Sequence, residues 1–375
     1  MESMGLKLFG DVFRGRRVLI TGHTGFKGSW LALLLHELGA EVTGLALAPA
    51  TQPSHFELIK LEEIVNHIEG DIRNLDIVKQ AFKTAAPEIV FHLAAQALVR
   101  DSYADPKGTF DTNIGGTVNV LEAIRASSCV KAAVIITSDK CYENKEWVWG
   151  YRENDPMGGH DPYSASKGAV EIVCSAYRRS FFDKMGHGPC IGFATARAGN
   201  VIGGGDWARD RLIPDCVRAL SENRPIVIRN PHATRPWQHV LEPLFGYLLL
   251  AQQLLHDSGR FSGTWNFGPA DIEHIKVMEL AERFIVAWGE GKIAPVELDD
   301  FASHEAHLLR LSIDKAAYEL GWLPVLSSSK AIDWTIDWYK IWQQGKKNPR
   351  DVSLEQIHNY IETASEKKAE WVART

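Results

Sequence analysis

The chain is short of most features that would place it outside the ordinary globular class, and each shortage excludes something. Its five cysteines (Cys129, Cys141, Cys174, Cys190 and Cys216) are odd in number, irregularly spaced and include no Cys-x-x-Cys. A disulfide framework and a zinc site are both disfavoured, and no metal is expected. No apolar run is longer than Trp30 to Leu35, far below the roughly 20 residues a membrane-spanning helix needs. The opening Met1-Glu2-Ser3-Met4 is acidic and leads into no apolar h-region, so no secretory signal is expected. Neither sign of charge dominates: 41 Lys and Arg stand against 47 Asp and Glu, a formal net charge of -6. That balance gives no reason to expect nucleic acid or an anionic membrane as partner, and any basic site for a phosphorylated ligand must be local. Internal repeats, low-complexity tracts and Pro/Ser-rich linkers are absent. The expectation is a reduced, cytoplasmic protein whose cysteines serve packing.

What is present suits a folded chain with ample core. At 375 residues and 45% hydrophobic content it has room for one large or two moderate domains. Arg17 to Thr21 reads as a buried strand running into a Gly-rich turn, followed by a helix from about Lys27 to Leu38 and a strand from Glu41 to Leu47. Further strands are expected at Val65 to Glu69, Glu88 to Leu93, Ala132 to Thr137 and Ile191 to Arg197. Helical patterns separate them at Leu75 to Ala85, Asn113 to Ala126 and Tyr163 to Met185. Apolar strands alternating with helices predict an α/β fold: a doubly wound, Rossmann-like parallel sheet covered on both faces. Beyond about Asn200 the rhythm breaks, predicting a smaller, discontinuous α/β domain. The expected division is 1–198 plus about 237–262 for the sheet domain, and about 199–236 plus 263–375 for the second. Trp334, Trp338, Ile341 and Trp342 fall at helical spacing and read as a packing stripe. The tail from about Asn348 is polar and suggests no task.

Thr21-Gly22-His23-Thr24-Gly25-Phe26-Lys27-Gly28 lies between the first strand and the first helix. Glycines there permit a tight turn and close backbone approach to a pyrophosphate, and the helix N-terminus offers unpaired N–H groups to it. Gly22, His23, Thr24, Gly25, Phe26 and Gly28 are therefore the candidate dinucleotide contacts, although the spacing is Gly-x-x-Gly-x-x-Gly. At the end of the second strand an acidic residue would normally grip the adenosine ribose. Leu45-Ala46-Leu47-Ala48-Pro49 carries neither acid nor Arg. The absence of a basic residue leans toward NAD, held loosely. Asp71 and Ile72, after the third strand, could reach the adenine. Leu93, Ala94 and Ala95, after the fourth, are small enough for backbone to lie along the nicotinamide half.

Tyr163 and Lys167 sit four residues apart in a helical pattern and share a face. An ammonium beside a phenol favours the phenolate, which makes Tyr163 a candidate base for an alcohol being oxidised. Ser138 could hydrogen-bond the same oxygen. Asp139-Lys140 adds a potential proton donor beside a potential acceptor, which hydride transfer alone does not require.

These stretches, with Asn113 and the run Glu319-Leu320-Gly321-Trp322-Leu323-Pro324, resemble the extended short-chain dehydrogenase/reductase family over nearly the whole chain. Within it, Asp139-Lys140 resembles the nucleotide-sugar 4,6-dehydratases. Thr21 to Leu35, Ser138 to Tyr142 and Arg197 to Trp207 are most similar to the CDP-D-glucose 4,6-dehydratases. The resemblance implies NAD as cofactor, CDP-glucose as substrate and a lyase of deoxysugar and lipopolysaccharide biosynthesis. It implies oxidation at sugar C4, loss of water across C5–C6 and return of hydride to C6. Asp139 would protonate the departing hydroxyl. Lys140, standing where related enzymes have Glu, would handle C5 as base or as charge stabiliser.

The resemblance also implies phosphate ligands at Asn200 and Arg235. Arg209, Arg211, Leu212 and Arg310 are further candidates on the substrate side, arginine being suited to paired bonds with phosphate oxygens. His304, Glu305 and His307 would line the nucleotide end of the pocket. The helices at 113–126 and 163–185 form the dimer surface in relatives, which implies a homodimer. Two other readings stay open: a nucleotide-sugar 4-epimerase, which needs only Tyr163, Lys167 and NAD, and a non-catalytic nucleotide-binding regulator.

Overall fold

The computed structural model describes residues 8–183, 190–228, 230–270, 275–295 and 308–372. The His304, Glu305 and His307 cluster lies outside them. Seven strands form one parallel sheet: β1 (Arg17–Thr21), β2 (Glu41–Ala46), β3 (Asn66–Glu69), β4 (Ile89–His92), β5 (Ala132–Ile136), β6 (Gly192–Ala198) and, late in the chain, β9 (Gly263–Phe267). Their order across the sheet is β3-β2-β1-β4-β5-β6-β9. A parallel pair of two residues each, β7 (Val201–Ile202) and β8 (Gln238–His239), stands apart.

The alternation of side chains along each strand feeds two cores. Val18, Ile20, Phe91 and Val134 point to one face, where they meet Trp30 to Leu35 of α1 (Phe26–Glu37). Leu19, Val90, Ala133 and Ile135 point to the other. There they meet α2 (Leu75–Ala85), α3 (Gly116–Ala126) and α4 (Pro162–Tyr177). Strands buried on both faces must be apolar throughout, which is why β4 and β5 read as continuous runs. Each fully buried Leu or Phe contributes roughly 1.5–3 kcal/mol. The later helices used below are α5 (Leu212–Ser221), α6 (Leu241–His256), α7 (Val277–Trp288), α8 (Asp314–Leu320), α9 (Ser328–Gln343) and α10 (Pro349–Glu366).

The predicted doubly wound sheet is thus present, with most strand and helix ends displaced by one to three residues. The pattern expected to reach Met185 is regular α-helix only to Tyr177, then widens into a π-turn from Arg178 to Phe182; Met185 itself lies outside the described residues. Two expectations need correction. Residues 263–267, assigned to the second domain, form the seventh sheet strand and pair with β6 from Ala194↔Gly263 to Ala198↔Phe267. The chain therefore leaves the sheet and returns to it, a pairing without a local sequence signal. The polar tail is also no tail: α10 buries Ile357 and Tyr360 against the core. The stripe at Trp334, Trp338, Ile341 and Trp342, on α9, packs against the same core.

Candidate active site

A cavity of about 1810 Å³ runs along the C-terminal ends of the strands and under the segment around 200–235. One end is built by the glycine turn. Gly22 has φ +80°, and a Cβ there would stand 2.7 Å from Ala94 N. A Cβ on Gly28 would stand 2.1 Å from Gly22 O. The turn therefore closes on itself and on the end of β4 in a way no side chain permits. Gly25 ends it as the N-cap of α1 and supplies no capping side chain, so the first N–H groups of α1 remain available to an anion at the cavity wall. This uncapped cradle fits a dinucleotide pyrophosphate.

Gly22, Thr24, Gly25, Phe26 and Gly28 line the cavity. His23 does not. It is buried below the turn with Nε2 at 2.7 Å from His67 Nδ1, and burial pushes its imidazole down to about 3. Its role is packing between β1 and β2, where a Cβ on Gly44 would run into its ring. Asp71 and Ile72 also line the cavity. The Asp71 carboxylate accepts from Arg73 Nε at 2.8 Å and Nη2 at 2.6 Å, and this neighbour holds it below its ordinary value. Leu93, Ala94 and Ala95 continue the wall. Asn113 then ties the next residue to α4: it accepts from Gln96 N and donates to Gln96 O and Ser166 Oγ.

The reaction centre lies where β5 ends and α4 begins. Asp161 caps α4, accepting from Ser164 N at 2.9 Å, and Pro162 takes the first turn, where a missing N–H is no loss. That start places Tyr163 and Lys167 on the cavity wall. Burial pushes the Tyr163 phenol up to about 12. A hydrogen bond with Ser138 and the charge of Arg211 oppose that shift, while Asp139 adds to it. Lys167 is pushed down to about 8 by burial, against the pull of Glu171 one turn further on. Among the charges acting on the phenol, Arg211 favours the phenolate, and Lys167 lies on the same cavity wall. Ser138, Asp139 and Lys140 form a tight turn on the same wall. The Ser138 hydroxyl donates to Asp139 Oδ1 at 2.9 Å and accepts from Lys140 N at 3.2 Å. Asn200 Nδ2 approaches Asp139 Oδ2 at 3.4 Å.

On the substrate side, Asn200, Arg211, Leu212 and Arg235 line the cavity. Arg209 is exposed outside it. Arg310 is not part of the lining either, and its carbonyl accepts from Tyr151 N. Arg211 donates to Asp206 Oδ2 at 2.8 Å and faces Tyr163.

Three groups escape sequence reasoning. Lys27, in the glycine turn, lines the cavity; burial together with Lys167 and Arg211 pushes it down to about 8, against Asp139. Its position between two glycines was the available signal. Glu171 and Arg197 form a buried ion pair at 2.8 Å behind Lys167. The Glu171 carboxylate also accepts from Thr137 and from Thr195 at 2.7 Å. Burial opposes its charge, but Arg197 and the hydroxyls outweigh it and hold the group below its ordinary value. Only the Tyr163, Lys167, Glu171 helical spacing hinted at this pair. Among the described residues no cluster of metal-ligating side chains occurs.

Residues 18–268 match the NAD dependent epimerase/dehydratase family. The CDP-glucose 4,6-dehydratase of Salmonella typhimurium is 49% identical over 339 residues, covering 90% of this chain and 94% of that one. The dTDP-glucose 4,6-dehydratase of Streptomyces antibioticus is 27% identical over 350 residues, covering 88% and 96%. Among solved structures, the Thermus thermophilus UDP-glucose 4-epimerase in complex with NAD superposes with a TM-score of 0.71 at 24% identity, covering 86% of this chain and 99% of that one. The Bacillus anthracis dTDP-glucose 4,6-dehydratase in complex with NAD does so with a TM-score of 0.70 at 20% identity, covering 86% and 96%. At these identities the two structures speak to the fold.

Proposed function

The chain belongs to the NAD dependent epimerase/dehydratase family, and we propose that it converts CDP-D-glucose to CDP-4-keto-6-deoxy-D-glucose by 4,6-dehydration. The observation that carries this is the Ser138-Asp139-Lys140 turn set against Tyr163 in one cavity, in a chain 49% identical to a CDP-glucose 4,6-dehydratase. Bound along the glycine turn, Asp71-Ile72 and Leu93 to Ala95, NAD supplies the hydride acceptor for C4 and the hydride donor for C6. Tyr163 takes the C4 hydroxyl proton, and Lys167 stands one turn behind it as the cation beside the cofactor. Asp139 protonates the leaving C6 hydroxyl, and Lys140 handles C5.

Asn200 and Arg235 meet the sugar-nucleotide phosphates, with Leu212 beside them. The nucleotide sugar is assigned to the smaller unit, residues 199–236 and the chain beyond β9. A 4-epimerase would need the oxidation groups alone; a carboxyl seated to protonate a leaving group favours elimination.

The reading brings with it a cytoplasmic homodimer serving deoxysugar and surface-polysaccharide synthesis. Ile172 on α4 and Phe181 just beyond it, 63% and 50% exposed, leave apolar surface for a second copy. Sedimentation would test the dimer. The activity test is incubation with NAD and a panel of nucleotide-glucose donors, followed by mass. Loss of one water from CDP-glucose alone is the expected result. An isomer of unchanged mass would indicate epimerisation, and binding without turnover a regulator.

A further inference from the structure

The groups given the elimination step stand on little structure of their own. Asp139 and Lys140 belong to a single turn of 3-10 helix, residues 139–141. Its backbone bonds are long, Cys141 N to Ser138 O at 3.3 Å and Tyr142 N to Asp139 O at 3.4 Å. A turn so short, with bonds so long, does not fix its own place. Tyr163 and Lys167, by contrast, ride on a 16-residue helix with its own cap. The place of Lys140 relative to them is set from outside the turn.

One hold is on the backbone, where Gly158 N donates to Cys141 O at 2.9 Å. The other is the side chain of Tyr142, two residues after Lys140 and buried. Its hydroxyl donates to Asn266 Oδ1 at 2.8 Å and accepts from Arg197 Nη1. The Arg197 guanidinium also lies 4.8 Å from the centre of the Tyr142 ring. Both partners are themselves fixed. Arg197, on β6, pairs with Glu171 of α4 at 2.8 Å. Asn266, on β9, donates to Tyr151 O at 2.9 Å and to Ser312 O at 3.1 Å. A buried chain of bonds thus joins the turn to the helix of Tyr163 and to the last strand of the sheet. Burial pushes the Tyr142 phenol up, so it stays a neutral hydroxyl that both donates and accepts.

We propose that Tyr142 is a positioning residue for the elimination step: its hydroxyl, clamped between Arg197 and Asn266, sets the place of Lys140 against the sugar C5. The inference rests on the dehydratase reading. Tyr142 moves no proton and acts through Lys140 by holding the turn. Oxidation at C4 uses Tyr163 and NAD, which α4 and the glycine turn hold without it. Loss of this one hydroxyl therefore separates the two half-reactions.

The test is Tyr142→Phe, which keeps the ring and removes the hydroxyl, in the full chain with NAD. A second variant, Tyr360→Phe, removes a buried hydroxyl that donates to Glu242 Oε2 at 2.8 Å, outside the cavity lining. It reports what the loss of a buried tyrosine bond does through stability alone. CDP-D-glucose and its 5-deuterated form are supplied, and cofactor reduction, water loss and Tm are followed.

Tyr142→Phe should leave cofactor reduction within about threefold of the unsubstituted protein while water loss slows about 100-fold, the scale set by a misplaced reacting group. Reduced cofactor should accumulate, and water loss should become sensitive to deuterium at C5. Tyr360→Phe should lower Tm and leave both the ratio of the two rates and the isotope effect unchanged. Equal slowing of both steps by Tyr142→Phe, undiminished water loss, or slower water loss with no rise in the C5 isotope effect would overturn the positioning role. If the unsubstituted protein itself removes no water from CDP-D-glucose, the dehydratase reading fails and this inference with it, and that arm shows it separately.

Discussion

Arg211 donates to the Asp206 carboxylate across 2.8 Å, and from that anchor its charge falls on the Tyr163 phenol. A second tie steadies the anchor: Asp206 Oδ1 accepts from Ala208 N. An arginine held in this way acts on the reaction centre, whatever it also offers to a phosphate.

The first prediction follows from its sign. Arg211 lowers the phenol's pKa, so removing it raises the pKa, and the phenolate that acts as base then requires a higher pH. Arg211→Gln should move the acid limb of C4 oxidation upward by about one unit. Below that limb the rate should fall about tenfold per unit. The measurement is the pH profile of single-turnover cofactor reduction; an unmoved limb would show that Arg211 does not act on Tyr163.

Lys140→Ala should separate the two halves of the reaction. Cofactor reduction should persist, because Tyr163 and Lys167 are untouched, while water loss falls by about 10²–10⁴. Stopped-flow absorbance and product mass report the two halves. Full dehydration by the variant would remove Lys140 from the mechanism.

Gly199 is defined by the carboxylate lying on it, since a Cβ there would stand 1.8 Å from Asp139 Oδ2. Gly199→Ala must therefore displace Asp139. Water loss should drop about 100-fold, the scale set by a misplaced reacting group, with NAD affinity unchanged by calorimetry. Retained dehydration would mean that Asp139 can act from another position.

The end of β2 carries Leu47, 55% exposed, and no acidic residue. A missing charged hydrogen bond to a ribose costs about 1.5–3 kcal/mol. The purified protein should therefore be partly free of NAD and be stimulated when NAD is added. Stoichiometric NAD surviving purification would contradict this.

Glu242, on α6, is buried and pushed up to about 7 by burial, although Val325 N, Leu326 N and Tyr360 OH all donate to it. Between pH 4.5 and 7 the folded chain holds a proton there that the unfolded chain has released. Its contribution to stability is therefore fully present below pH 4.5 and is lost as pH rises through 7. Glu242→Gln should flatten the fall in Tm over about pH 5 to 8. An unchanged Tm profile would show that the carboxyl titrates normally.

The parts of this molecule legible in its sequence are those fixed by neighbours along the chain. The β1–turn–α1 unit could be read because its glycines answer local geometry, Gly22 at positive φ and Gly28 against Gly22 O. Tyr163 and Lys167 could be read because helical spacing alone puts them on one face. Arg209 and Arg310 are candidates by side-chain chemistry alone, and the packed chain brings neither to the cavity lining. The Arg211–Asp206 anchor, the Glu171–Arg197 pair and the place of Lys27 stayed hidden for a common physical reason. Each depends on side chains that meet only after distant strands and loops have packed, and no local period records that meeting. The same holds for α10, whose polar composition concealed the few residues, Ile357 and Tyr360 among them, that dock it.

The late arrival of β9 also bears on how the chain is made. Residues 192–198 of β6 are synthesised well before residues 263–267, their partner in the sheet. Until those emerge, β6 is an open edge whose unpaired N–H and C=O groups can template pairing with another chain. Closing that edge requires a contact of long sequence separation, the kind that forms slowly. During synthesis, therefore, the outer side of β6 stays open from the completion of that strand until β9 docks and takes its place as the terminal strand of the sheet.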